Sequence, residues 1–170
     1  SASCSEMNSA SVLTREEGAL KFSFRSPFVQ PRVSILDPTA LFSLPRENSA
    51  YSAVDAVSHI LEVYFNNTEP KGFLQERIAE GILRTVMDAT ERILKDPVDY
   101  DARAEMMWAA TLGFNGLIAA GLGRTSLPAH MIEHSLSALY GIAHGAGLAI
   151  VQPGWMRDAS ANDPRRFARF

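Results

Sequence analysis

Apolar positions change their period part-way along the chain. Over residues 1 to about 38 they follow strand-like spacing. Residues 12–14 are a short β-prone run, Glu16-Glu17-Gly18 reads as a turn, and Leu20-Lys21-Phe22-Ser23-Phe24 alternates with period two. A further strand is expected over 32–36, closed by Asp37-Pro38. From about residue 43 the spacing becomes helical. Pro45 suits the first turn of a helix, where no N–H donor is needed. Val54, Val57, Ile60, Leu61 and Tyr64 then form a stripe that carries that helix to about Phe65. Residues 66–72 read as a loop. A second helix is predicted over 73–95, with Ile78, Ile82, Val86 and Ile93 near one face and Asp96-Pro97 ending it. Asp99 is a suitable N-cap for a third helix from Tyr100 to about Gly121. Residues 123–126 are a loop, Pro128 can start a fourth helix, and Asp163-Pro164 a further one. The expected fold is mainly α: a helical domain over 43–170, preceded over 1–42 by strands and loops.

The chain of 170 residues is 46% hydrophobic and 21% charged, so a sizeable core is available and a disordered composition is excluded. A net charge of −3 leaves no basic footprint for nucleic acid. The single cysteine, Cys4, excludes an internal disulfide framework. No apolar run approaches the ~20 residues that span a bilayer, so no membrane partner is expected; residues 141–153 are apolar but short and glycine-bearing, as in a buried segment. No secretory leader is present, which makes the cytoplasm the expected compartment. The chain opens without Met on a run of small residues and closes inside a predicted helix, so an internal piece of a longer protein is expected.

Candidate chemistry lies in the four histidines, at 59, 130, 134 and 144. Asp55 and His59 stand at i and i+4 of the first predicted helix, on one face, where a carboxylate and an imidazole can reach one divalent ion at ~2.0–2.2 Å each. The same pair can equally be an ordinary intrahelical contact. His130 and His134 share a face of the fourth helix, and His144 follows fourteen residues after His130. In a straight helix that separation spans about 21 Å. The chain must therefore break between them if both bind one ion, and Gly141, Gly145 and Gly147 supply the freedom to do so. Two such clusters on apolar helices favour a metal site over unrelated satisfied histidines. Spacing leaves open whether His130, His134 or both would ligate. Glu133 directly precedes His134, so this is not the zincin arrangement of two histidines around a glutamate.

Several runs together resemble the iron-containing (group III) alcohol dehydrogenases: Ser5-Glu6-Met7-Asn8, the segments 24–31 and 35–38, Leu44-Pro45, Asp55-Ala56-Val57-Ser58-His59, Met107-Trp108-Ala109-Ala110, Asn115-Gly116-Leu117-Ile118, and His130-Met131-Ile132-Glu133-His134 leading to His144-Gly145. The resemblance covers nearly the whole chain and points to the NADPH-dependent aldehyde reductase and butanol dehydrogenase branch. It implies the helical metal-binding domain of a dehydroquinate synthase-like fold, preceded by the trailing strands of a Rossmann-like domain. It implies one Fe(2+) or Zn(2+) held by Asp55, His59, His130 and His144, with His134 beside the site as a proton relay or substrate contact. NADP(H), rather than NAD(H), would be touched by Ser3, Asn8, Lys21, Ser43 and Leu44. The substrate would be a small alcohol or aldehyde, and the full-length protein a homodimer. The isolated 170-residue piece is expected to be inactive, because no glycine-rich phosphate loop follows a strand in it. Cys4 stands where the family carries a glycine and Ser3 where it carries a threonine, which bears on cofactor affinity.

Two other readings compete. A helical module could bind metal for structure alone. A metal-dependent hydrolase would need a general base beside a metal-bound water, and Glu133 is the carboxylate placed for that. Trp108, Phe114, Met106 and Met107 are expected in the core, between the third helix and the first.

Overall fold

A computed structural model describes residues 4–69 and 72–170. The chain begins with a single-turn 3₁₀ segment at Ser5–Met7, followed by a hairpin of β1 (Ala10–Arg15) and β2 (Leu20–Arg25). The strands pair antiparallel from Ala10 opposite Arg25 to Arg15 opposite Leu20. The turn between them uses positive φ at Gly18 (84°) and Ala19 (48°). The expected strand over 32–36 does not form. Val33 and Ile35 are 82% and 89% exposed, and no neighbouring strand among the described residues offers them a ladder.

Two short 3₁₀ segments, Pro27–Val29 and Pro38–Leu41, and six α-helices follow among the described residues: α1 (Arg46–Phe65), α2 (Phe73–Lys95), α3 (Tyr100–Phe114), α4 (Pro128–Tyr140), α5 (His144–Asn162) and α6 (Pro164–Arg169). The predicted bounds of α2 hold, and those of α1 nearly so. Asp99 caps α3 by accepting from the Ala102 N–H at 3.0 Å, and Arg92 holds the same carboxylate in a fork at 2.9 and 3.0 Å. α3 stops at Phe114, short of Gly121, because the glycines at 116 and 121 both take left-handed backbone, which ends a helix.

α1 is the central helix and packs against α2, α3, α4 and α5. The core is built from Ile60 and Tyr64 of α1, Val86 and Ile93 of α2, Ala102 of α3 and Leu148 of α5. α6 closes the end of the bundle. Phe167 stacks on Phe65 at 3.9 Å, and Arg166 donates to the Phe65 carbonyl at 2.9 Å. The 141–153 segment is buried on one face only: Gly145, Gly147 and Leu148 are covered while Ile150 is 76% exposed. Of the residues expected in the core on α3, Met106 is buried, Trp108 faces outward and Phe114 lines a cavity. Among the described residues no helix is long and apolar enough to cross a membrane.

Candidate metal centre

The middle of one helix and the first turns of two others converge on one point. Asp55 and His59 lie mid-way along α1, on the turn that the other helices cover, and both are buried. His130 sits in the first turn of α4. The chain then breaks at Gly141, in the left-handed conformation at φ 65°, whose N–H caps α4 through the Ser137 carbonyl. That break starts α5 at His144 and brings its ring back beside His130, with ring centres 5.3 Å apart. His144 therefore opens a helix rather than closing one.

The nitrogen atoms meet on a single carboxylate oxygen. Oδ1 of Asp55 lies 3.3 Å from His130 Nε2 and 3.5 Å from His144 Nε2. It is also 3.6 Å from His59 Nδ1, a buried atom with no hydrogen-bond partner. One ligand atom each from Asp55, His130 and His144 falls within 4.8 Å of the others. This donor set, one carboxylate and two or three imidazoles around a point that leaves a buried nitrogen unsatisfied, fits a divalent transition metal. His59 is wedged between two rings, stacking on His130 at 4.3 Å and on Phe114 at 3.9 Å between centres.

Two glutamates lie behind the histidines. Glu62 of α1 meets His130 Nδ1, and its other oxygen accepts the Ala129 N–H at 2.5 Å. Glu133 of α4 meets His144 Nδ1 and accepts the Ser137 hydroxyl, with Lys21 Nζ 3.8 Å away. Glu133 is thus fully engaged and not free to act as the base of a hydrolase. Burial pushes the Asp55 carboxyl up, but its hydrogen bond with His130 and the surrounding imidazoles outweigh this and hold it below its ordinary value. Burial drives His59 down to about 3 and, with Lys21 nearby, His134 down to about 4, so both rings are neutral at neutral pH. Burial also lowers His144. For His130 burial acts the same way, but hydrogen bonds to Asp55 and Glu62 prevail and raise it to about 9. Burial, with the charge of Asp55, pushes the Cys4 thiol up to about 12, which makes it a poor nucleophile.

The site opens into a cavity of about 400 Å³ between the hairpin and the helices. Lys21 and Asn8 line it with Asp55, His59, His130, His134 and His144. Asn8 spends its amide on its own loop, donating to the Cys4 carbonyl and accepting the Ala10 N–H. Ser43 and Leu44 lie elsewhere: Ser43 is exposed, and Leu44 lines a small cleft with Ser49, Ile93 and Arg103. Ser3 is outside the described residues. Sequence reasoning did not single out Glu62. Its position seven residues after Asp55 and three after His59 places it on the same helix face, and that spacing was the available signal. Phe114, expected in the core, packs against it and also forms the wall of the cavity against His59.

Residues 49–170 match the C-terminal part of the Fe-containing alcohol dehydrogenase family. The chain belongs to that family. It is 43% identical, over 94% of its length, to the NADH-dependent butanol dehydrogenase B of Clostridium acetobutylicum. It is 42% identical, over 88% of its length, to the NADPH-dependent aldehyde reductase YqhD of Escherichia coli. The crystal structure of the NADH-dependent butanol dehydrogenase A of Thermotoga maritima superposes with a TM-score of 0.95, at 49% identity and over all of this chain. The chain covers 40%, 38% and 42% of these three proteins respectively, about two fifths of each. The fold is accordingly the helical domain of an iron-containing alcohol dehydrogenase with a short β-hairpin beside it.

Proposed function

We propose that this chain supplies the metal site of an alcohol dehydrogenase or aldehyde reductase that acts with a nicotinamide dinucleotide on a small primary alcohol/aldehyde pair. The observation that carries the reading is the convergence of His130 Nε2 and His144 Nε2 on Asp55 Oδ1, with His59 Nδ1 unsatisfied beside them. Asp55, His59, His130 and His144 would hold the ion, Fe(2+) or Zn(2+), both of which accept such a nitrogen and oxygen set. When bound, the ion supplies Lewis acidity toward the substrate oxygen and the nicotinamide supplies or accepts the hydride.

The chain's own residues do the rest. With the ion bound, the ligating imidazoles would be neutral, His130 giving up its proton, and Asp55 would contribute the one negative charge, so the occupied site would keep net positive charge where oxygen charge develops. Phe114 and the buried imidazoles exclude water from the floor of the cavity. His134, buried and neutral, with its ring 5.4 Å from that of His144, would pass a proton between the substrate oxygen and the cavity mouth. Lys21 brings positive charge to the same cavity and would meet the dinucleotide, with Asn8 in the loop before β1, Ser43 and Leu44 before α1, and Ser3, which lies outside the described residues, as further contacts. An NADP(H) preference has support from the Escherichia coli aldehyde reductase, whereas the butanol dehydrogenases of Clostridium and Thermotoga are NADH-dependent. Residues 1–42 would close a cofactor-binding domain and residues 43–170 form the catalytic one. The full protein would be a cytoplasmic homodimer without nucleic-acid or membrane partners.

The test is elemental analysis of the full-length protein. Wild type should carry about one divalent ion per chain. Asp55→Ala and His144→Ala should lose it together with aldehyde reduction. Unchanged metal content in both variants overturns the ligand set.

A further inference from the structure

Both histidines that face Asp55 through Nε2 have their other ring nitrogen taken by a buried glutamate from a neighbouring helix. His130 of α4 is held by Glu62 of α1, and His144 of α5 by Glu133 of α4. Both glutamates are 0% exposed. Neither is a generic surface pair. Glu62 also caps the start of α4 through the Ala129 N–H at 2.5 Å, so the oxygen beside it cannot drift from His130 without uncapping that helix. Glu133 is pinned by the Ser137 hydroxyl and by the backbone of α5: a Cβ on Gly147 would lie 2.6 Å from its Oε1. His59 is treated differently. Its Nδ1 has no hydrogen-bond partner, and its ring plane is set by stacking between His130 and Phe114.

A neutral imidazole has one N–H and one lone-pair nitrogen. When a carboxylate accepts the Nδ1–H, the lone pair is left on Nε2, and the ring orientation is fixed with it. We propose that Glu62 and Glu133 are positioning residues for the metal: each takes the Nδ1–H of one histidine and so reserves its Nε2 for the ion. The proposal rests on the ligand set proposed above. It assigns to α1 two tasks, one ligand pair facing the ion and one glutamate that orients the ligand on α4.

The discriminating variant is Glu62→Gln in the full-length protein. Glutamine keeps the size of the side chain and an oxygen able to cap the Ala129 N–H. It then sets an NH₂ group opposite His130 Nδ1, which forces the proton onto Nε2 and removes the lone pair from the site. Affinity for Zn(II), read by chelator competition, should fall about 10–100-fold. The visible absorption of the Co(II)-loaded protein should change, while the melting temperature of the metal-free protein moves little. Glu133→Gln should do the same through His144, and it serves as the independent case if Glu62→Gln folds poorly. In a His130→Ala background, Glu62→Gln should cost no further Zn(II) affinity. Wild-type affinity and Co(II) spectrum in both glutamine variants, with metal lost in His130→Ala, overturns this proposal and leaves the ligand set standing. A full further loss in the His130→Ala background also overturns it, because Glu62 would then act on the fold at large. Metal retained by His130→Ala overturns the ligand set itself.

Discussion

Helices α1 and α2 are of similar length, 20 and 23 residues, and pack against one another, but they are covered in different ways. α2 buries one stripe, Ala79, Ile82, Leu83, Val86, Ala89 and Ile93, and leaves Arg77, Arg84, Met87, Asp88 and Glu91 to solvent. α1 has no free face in its second half: every residue from 58 to 65 is buried. On α2 the polar residues are exposed or half-buried, except Glu76 in the first turn, which is buried and pairs with Arg169 at 2.8 Å. On α1 the polar residues Asp55, Ser58, His59 and Glu62 are inside, where an unpaired polar group costs free energy. Three of those four converge on the candidate metal centre. In a helix enclosed on all sides, buried polar side chains mark the working part of the molecule, and the comparison with α2 is what separates them from ordinary surface charge.

The contrast predicts unequal tolerance to truncation. Ile60 of α1 is 0% exposed and touches the helix that carries Gly113, whose added Cβ would sit 2.8 Å from Ile60 Cγ1. Ile60→Ala should destabilise by about 2–5 kcal/mol, through lost burial and a residual cavity. Met87 of α2 is 60% exposed, and Met87→Ala should stay within about 0.5 kcal/mol of wild type. Denaturant midpoints of the two variants measure the difference directly; equal losses would mean that the two helices are covered alike.

A second prediction sharpens the first at the crossing of α1 and α5. A Cβ on Gly145 would lie 2.2 Å from the Tyr51 carbonyl oxygen and 2.6 Å from its carbon, so two backbones are in contact with no side chain between them. Gly145→Ala must push α5 away from α1, at a cost of about 3 kcal/mol. Because His144 is the adjacent residue, metal content should fall along with the melting temperature. A variant that melts like wild type and keeps its metal would show that the helices can separate at this point without disturbing the site.

The difference between the helices also explains what was readable in advance. Both ends of α2 are legible in the sequence because a one-sided stripe and Asp96-Pro97 are local signals. The break between His130 and His144 is legible only conditionally: it follows from the fourteen-residue separation if both rings bind one ion, with Gly141, Gly145 and Gly147 supplying the freedom, and the chain does turn at Gly141. Glu62 is not legible, because on α1 the pattern of apolar residues does not reveal which polar positions other helices will cover. Val33 and Ile35 suggested a strand by alternation alone, but a strand needs a neighbour to pair with, and alternation carries no information about one. Phe114 reads as core from its type and does pack against the core; that its ring also stacks on His59 depends on α3 ending there, and the glycines that end it act through backbone conformation rather than hydropathy.

The smallest expected effect has the opposite sign. Gly81 lies mid-way along α2, exposed, with nothing within 4 Å of an added Cβ. A glycine in a helix interior is less favourable than alanine by about 1 kcal/mol, largely because the unfolded chain loses more freedom when glycine is ordered. Gly81→Ala should therefore stabilise by about that amount, raising the melting temperature by a few degrees and leaving metal content unchanged. The substitution is chemically identical to Gly145→Ala, so the change of sign reports only what lies opposite the new methyl group: open solvent in α2, the backbone of α1 in α5. A destabilised Gly81→Ala in the full-length protein would mean that further chain packs on this face of α2, which would make α2 as enclosed as α1 and remove the asymmetry on which the reading of the buried polar residues depends.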